Sequence, residues 1–183
     1  ILWFGVDDAN ASVYVPMYAG IESAPYEYKQ GNGNMLEFTW DAAFWVFNWV
    51  SNMSYTRYSY MIEDIREAQT ELEDKFEKMQ PAIDNAASTL YEQDPALARE
   101  FLTDYSHNQA RITVERWQKL GQFLMVKYLD GNIHPEKDGE FLRNEHGNPA
   151  PAKFPGYDQE FYEKVVNDAG EKLKMKDFPP EEE

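Results

Sequence analysis

Hydrophobic and polar residues follow a β-type pattern at the start of the chain. The segments ILWFGV and SVYVPMYA are rich in aromatic and β-branched residues, and the turn-forming sequence DDANA separates them. The next stretch, up to Leu36, lacks a regular pattern and contains the turn sequence QGNGN. We therefore expect residues 1–38 to form a short antiparallel β segment followed by a loop.

From Trp40 onward the spacing of apolar residues changes to three and four, which is typical of a helix. This spacing predicts one helix of about forty residues, about 60 Å long, with Thr39 as N-cap and Pro81 as its end. Up to Val50 the predicted helix is apolar on all sides, so we expect that part to be buried. The periodic apolar positions in the rest of the helix are Tyr58, Met61, Ile65, Ala68, Leu72, Phe76 and Met79.

A second long helix is predicted to begin at Pro95, with Asp94 as its N-cap, and to end near Leu129. The two long helices should pair antiparallel, so that residues 39–130 form a long helical hairpin. Residues 131–183 are predicted to be an irregular segment, then a short helix from about Asp158 to Asn167, then an acidic tail. The fold class is α+β, and we expect residues 1–183 to be a single piece of one larger domain.

Charge and composition limit the partners of the chain. The formal net charge is −16 over 183 residues, which argues against binding to nucleic acid or to an anionic membrane surface. The longest apolar run, residues 42–47, is far shorter than the ~20 residues of a membrane-spanning helix. We expect no nucleic-acid partner and no membrane insertion.

Sequence motifs for catalysis and for cofactor binding are missing. The chain has no cysteine, no glycine-rich phosphate loop, no paired-histidine zinc signature and no G-x-S-x-G motif. Asp7, Asp8 and Asn10 could offer oxygen atoms to a hard cation, but they lack the spaced ligands of a calcium loop. We interpret them as a turn, and we predict no catalytic residue, no metal site and no cofactor in this chain.

The most aromatic stretch, TWDAAFWVFNWVSNMSYTRY, contains three polar residues that are candidates for substrate binding: Asn48, Asn52 and Arg57. Asn48 and Asn52 are four residues apart and share a helix face, whereas Arg57 is half a turn out of register. Two interpretations are open. The amides could satisfy neighbouring loops in a buried helix, or they could line a binding cleft.

Four motifs give the chain a resemblance to a known family: the aromatic strand Tyr14 to Gly20, the helix start Phe44 to Asn48, the Arg-Tyr pair at Arg57, and Pro-Gly-Tyr at residues 155–157. The chain resembles the C-terminal part of the secernin-like dipeptidases, which are N-terminal-nucleophile cysteine hydrolases. The block from Asp41 to Gln69 is the most specific part of this resemblance.

This resemblance implies a four-layer αββα fold in the full-length enzyme and hydrolysis of dipeptides by an N-terminal cysteine. Since the chain begins at Ile1 and has no cysteine, we expect it to be a non-catalytic C-terminal fragment. Its partners would be the N-terminal part of the same protein and the dipeptide substrate, in a bacterial periplasmic or extracellular location. The alternative is a non-catalytic acidic helical interaction domain.

Overall fold

The computed structural model describes residues 1–173, and the chain divides into two compact units, Ile1–Gly131 and Asn132–Glu183. Helices dominate the described residues, together with small antiparallel sheets of two strands. This arrangement confirms the α+β class. No helix within residues 1–173 combines the length and the hydrophobicity that crossing a bilayer requires.

The first unit begins with the predicted β hairpin. Strands β1 (Leu2–Phe4) and β2 (Val15–Met17) pair antiparallel, with Trp3 opposite Pro16. A single turn of 3-10 helix lies between them, and the Asp8 side chain caps it by accepting a hydrogen bond from the Asn10 backbone N–H at 2.9 Å. The predicted turn role of this segment is therefore confirmed.

The predicted first long helix is two helices, and this prediction was wrong at both ends. Helix α1 spans Ala43–Ser54 and helix α2 spans Tyr58–Gln93. The break lies where the hydroxyl groups of Ser54 and Thr56 donate to backbone carbonyls three residues earlier, which competes with regular helical bonding. Thr39 is not the N-cap, because α1 begins after Ala42 and its N-terminus has no side-chain cap.

Pro81 lies inside α2 and does not end it. Proline lacks the backbone N–H that would bond to the carbonyl four residues earlier, and its ring crowds that carbonyl. Pro81 and its neighbour Ala82 are exposed, so the free carbonyl of Glu77 can bond to water. The helix therefore continues for another three turns.

Helix α3 (Pro95–Lys127) packs against α2 as the predicted antiparallel hairpin. The Asp94 carboxylate accepts from the backbone N–H of Ala96 at 2.9 Å, which confirms the predicted N-cap. Two ion pairs show the direction of the pairing. Glu71 of α2 contacts Arg116 at 2.9 Å, and Asp64, further back along α2, contacts Lys127, further along α3, at 2.7 Å.

The core of the first unit lies between the helices. Phe47 of α1 stacks on Trp117 of α3, with ring centroids 5.0 Å apart, and both side chains are fully buried. Only one face of α1 belongs to this core, so the expectation of a helix start buried on all sides was wrong. The buried residues of α1 are Ala43, Val46, Phe47, Val50, Ser51 and Ser54.

Within residues 132–173, the second unit contains one small hairpin and one α-helix. Strands β3 (Glu136–Lys137) and β4 (Glu140–Phe141) pair antiparallel inside the segment that we expected to be irregular. Helix α4 spans Gln159–Ala169, close to the prediction, and its N-cap Asp158 accepts from the backbone N–H of Phe161 at 2.7 Å. The predicted acidic tail lies in residues 174–183, outside the described residues.

Candidate functional site

The half-exposed face of α1 borders an open groove of about 400 Å³. Two of the three predicted site residues, Asn48 and Asn52, lie in this groove, as their spacing of four residues predicts. Its remaining lining is apolar. The complete lining is Phe38, Trp45, Asn48, Trp49, Asn52 and Met53. The aromatic stretch is thus core on one face and groove on the other.

The aromatic wall of the groove is a connected set of rings. Phe38 packs on Trp40 and on Trp45, with centroid distances of 4.7 and 5.8 Å, and Trp40 packs edge to face on Trp49 at 5.0 Å. The Trp45 indole N–H donates to the backbone oxygen of Asn34 at 3.0 Å. These contacts hold large apolar surfaces at a solvent-accessible position, which is typical of a binding site rather than of a core.

Helix α3 supports the wall at a glycine. The six-membered ring of Trp49 lies directly over Gly121, and a Cβ atom at that position would stand 2.1 Å from Cζ3 of Trp49. Only glycine lets α1 and α3 approach this closely with the indole between them. The position of one groove residue therefore depends on a glycine 72 positions later in the sequence.

A relay of side-chain hydrogen bonds runs along the polar part of the groove. Asn52 Nδ2 donates to the side-chain oxygen of Asn48 at 2.8 Å and to its backbone oxygen at 2.9 Å. Asn48 Nδ2 in turn donates to Oδ1 of Asp7 at 2.9 Å. Asp7 has φ of +65°, a left-handed conformation that asparagine and aspartate tolerate better than most residues. The relay thus joins the turn after β1 to the groove.

Asp8 holds the same turn against α1 on the other side. Its carboxylate accepts from the Tyr55 hydroxyl and from the Ser51 hydroxyl. The hydrogen bond from Tyr55 is the largest cause that lowers the pKa of Asp8 below its usual 3.8, and the backbone N–H of Asn10 contributes next. The same hydrogen bond raises the pKa of Tyr55. Asp8 therefore carries its negative charge at neutral pH.

Sequence reasoning treated Asp7 and Asp8 as a turn and missed their contacts with α1. A signal was present in the helix, where polar residues at positions 48, 51, 52 and 55 recur at three- and four-residue spacing through an aromatic stretch. Such a stripe requires polar partners on a neighbouring element. The sequence does not show that the partners lie about 40 residues earlier.

Arg57, the third predicted site residue, does not line the groove. It precedes α2 with φ of −155° and ψ of 57°, and its guanidinium lies beside Gly131, 3.0 Å from where a Cβ of that glycine would stand. Within residues 1–173 no carboxylate forms an ion pair with it. Among the same residues, no group of three or more histidines, aspartates or glutamates is arranged to hold a metal ion.

A larger cavity, of about 600 Å³, lies at the tip of the helical hairpin. Two of its lining residues bond to each other, because the Tyr18 hydroxyl donates a hydrogen bond to Asp84 at 2.5 Å. Burial first, and then Asp84, raise the pKa of Tyr18, so the phenol stays protonated and donates to Asp84. The further lining residues are Gly20, Ala87, Ser88, Tyr91, Glu92, Pro95, Ala98, Arg99 and Leu102.

A family model matches the N-terminal part of the chain. Residues 1–71 match the family model described as Peptidase family C69, which confirms the predicted resemblance over that part of the chain. Every residue that lines the aromatic groove falls inside this segment, whereas the larger cavity has only Tyr18 and Gly20 in it. No curated protein and no solved structure matches the chain.

Proposed function

We propose, from the match of residues 1–71 to Peptidase family C69, that the chain is the substrate-binding part of a dipeptidase. The observation that carries this proposal is the aromatic groove, because a solvent-accessible apolar site with a few polar groups lies inside the matched segment. The apolar wall suits a substrate side chain, and the amides suit the polar backbone of a peptide. Asn48 and Asn52 are the proposed substrate contacts.

The chemistry would come from a residue that this chain does not contain. A cysteine at a mature N-terminus is activated by its own α-amino group, attacks the peptide carbonyl and forms an acyl-enzyme that water hydrolyses. The 183 residues contain no cysteine, so in this proposal the chain binds and orients the substrate and contributes no catalytic group. The four-layer fold and a periplasmic or extracellular location belong to the same proposal.

Arg57 is a second proposed contact, separate from the groove. A half-buried guanidinium without an ionic partner among the described residues suits a carboxylate, which a dipeptide supplies at its C-terminus. The alternative function, an acidic helical interaction domain, makes no use of the aromatic groove. It predicts that changes at the groove leave the binding of a basic partner unaltered.

The test compares Asn52→Ala with Asn85→Ala in the full-length protein. Asn52 is exposed and uses its side-chain Nδ2 within the protein, whereas Asn85 is an exposed asparagine of α2 outside the groove. If Asn52 binds substrate, its loss should lower kcat/KM for dipeptides about tenfold, the value of one hydrogen bond of about 1.4 kcal/mol, with little change in Tm. Asn85→Ala should change neither quantity.

Asn48→Ala should lower stability because it breaks the hydrogen bond that ties the turn at Asp7 to α1, a bond that Asn52→Ala leaves in place. It should also lower kcat/KM, because it removes the acceptor that orients Asn52. The expected loss of stability is about 1–3 kcal/mol. If the full-length protein hydrolyses no dipeptide, or if Asn52→Ala leaves kcat/KM unchanged, the proposed role of the groove is refuted.

A further inference from the structure

We infer that the aromatic groove binds the free ammonium group at the N-terminus of a peptide. This inference rests on the proposed function and specifies which end of the substrate the groove accepts. It follows from the direction of the hydrogen-bond relay, from the charge beside the groove and from the residue types of the wall.

The relay has only one possible direction. The Asp7 carboxylate can only accept hydrogen bonds, so the Asn48 atom that faces it must be the Nδ2 donor. The Asn48 side-chain oxygen then points to Asn52 and receives Nδ2 of that residue. Consequently both amide nitrogens are engaged with protein acceptors, and Oδ1 of Asn52 is the acceptor left for a ligand. The groove therefore offers an oxygen where a cation or an N–H group would bind.

The charge beside the groove is negative. Asp7 is exposed and adjoins the groove through Asn48, and the carboxyl of Asp8 next to it has a lowered pKa. Neither forms an ion pair with a lysine or arginine among the described residues, and no lysine, arginine or histidine lines the groove. A carboxylate or phosphate ligand would be repelled here, whereas an ammonium group would be attracted.

The residue types of the aromatic wall are the third observation that supports an ammonium ligand. Two of its residues, Trp45 and Trp49, are tryptophans, the side chain with the most favourable cation–π interaction. A sugar would also stack on tryptophan, but it would require hydrogen-bond donors as well as acceptors. Of the side-chain N–H groups in the lining, both of Asn52, one of Asn48 and that of Trp45 already donate within the protein, which leaves the second N–H of Asn48 and the Trp49 indole.

The direct test measures binding of two small probes to the chain by tryptophan fluorescence and by calorimetry. L-leucine amide carries the ammonium group, and N-acetyl-L-leucine amide has the same side chain without the charge. At about pH 6.5 the amine is largely protonated, since its pKa lies near that of other α-amino groups, about 7.7–8.0. We expect leucine amide to bind at least about tenfold more tightly than the acetylated probe, and we expect this preference to disappear above about pH 9.

Two substitutions serve as test and control. Asp7→Asn keeps a residue that tolerates the left-handed conformation and that can still accept from Asn48, but it removes the charge. It should reduce the preference for leucine amide by at least about threefold without changing Tm. Glu67→Gln removes the same charge from an exposed position on α2 and should have no effect. Trp45→Leu should weaken binding of leucine amide, because it removes an aromatic face.

Equal affinity for the two probes, binding of neither probe at millimolar concentration, or a preference that Asp7→Asn leaves intact would overturn the inference. Hydrolysis by the full-length protein separates this failure from failure of the proposed function. If free and N-acetylated dipeptides are cleaved with equal kcat/KM, the ammonium site is refuted and peptide hydrolysis stands. If no peptide is cleaved, the proposed function fails even where the chain prefers leucine amide.

Discussion

Gly121→Ala tests whether the wall of the groove is held in place by the approach of α1 to α3. Two effects of this substitution oppose each other. Alanine is a better helix former than glycine by about 1 kcal/mol, so helix propensity alone predicts a more stable protein. The contact with Trp49 predicts the reverse. The sign of the change in stability therefore shows whether helix propensity or the contact with Trp49 is the larger effect.

The contact can be evaluated from the structure. The added Cβ would lie 2.1 Å from Cζ3 and 2.6 Å from Cη2 of Trp49, whereas ordinary contacts begin at 3.4 Å. The indole would have to move by about 1.3 Å, the difference between 3.4 and 2.1 Å. Overpacking of this kind costs about 1–3 kcal/mol, and more when a rigid ring is involved. After the gain in propensity we expect a net loss of up to about 2 kcal/mol, which corresponds to a fall in Tm of up to about 8 °C.

The assay is urea denaturation followed by circular dichroism, with the same measurement in a Trp49→Leu background. Without the indole the clash is gone, so Gly121→Ala should then stabilise the protein by up to about 1 kcal/mol. The change of sign between the two backgrounds is the expected result, and it measures the coupling between positions 49 and 121. If Gly121→Ala stabilises both backgrounds equally, the reasoning about the groove wall is refuted.

Two further predictions concern α2 and the Asp8 turn. Pro81→Ala should stabilise the protein by about 1–3 kcal/mol in thermal denaturation, because alanine restores the helical hydrogen bond at an exposed position. An unchanged or lower stability would contradict this prediction. Lys78→Ala, at another exposed position of α2, is the control. Tyr55→Phe should lower Tm at pH 7 by removing the main cause of the lowered pKa of Asp8. A carboxyl whose pKa is lower in the folded protein than in the unfolded chain stabilises the fold at pH values above its unfolded pKa, near 3.8. This stabilisation is lost as the pH falls through the lowered pKa of the folded protein. The difference in Tm between wild type and variant should therefore shrink below about pH 4, and a difference independent of pH would contradict the assignment.

Several features were predictable because they depend on residues close together in the sequence. Asp94 and Pro95 specify the start of α3, and Asp158 specifies the start of α4, since an N-cap needs only its own side chain and the next three residues. The shared face of Asn48 and Asn52 follows from helical periodicity. The hairpin β3–β4 was missed even though Asp138 and Gly139, both with positive φ, form a common two-residue hairpin turn.

The family resemblance was also accessible from the sequence, and it is confirmed over residues 1–71. It depends on motifs that lie within a short stretch, such as Phe44 to Asn48. The layered fold of the full enzyme stays a prediction. So do the substrate contacts, including Arg57, because neither the family match nor the fold measures binding.

The sequence by itself determined the first β hairpin, the N-cap and start of α3, the approximate position of α4, and that α1 carries polar residues through an aromatic stretch. Only the tertiary structure decided which face of α1 is buried, because that depends on where Phe47 meets Trp117, about 70 residues later. It also brought Asp7 to Asn48 and Gly121 to Trp49. Helical period and capping are local properties of the chain, whereas these contacts are selected by the packing of distant segments, which no short window of sequence encodes.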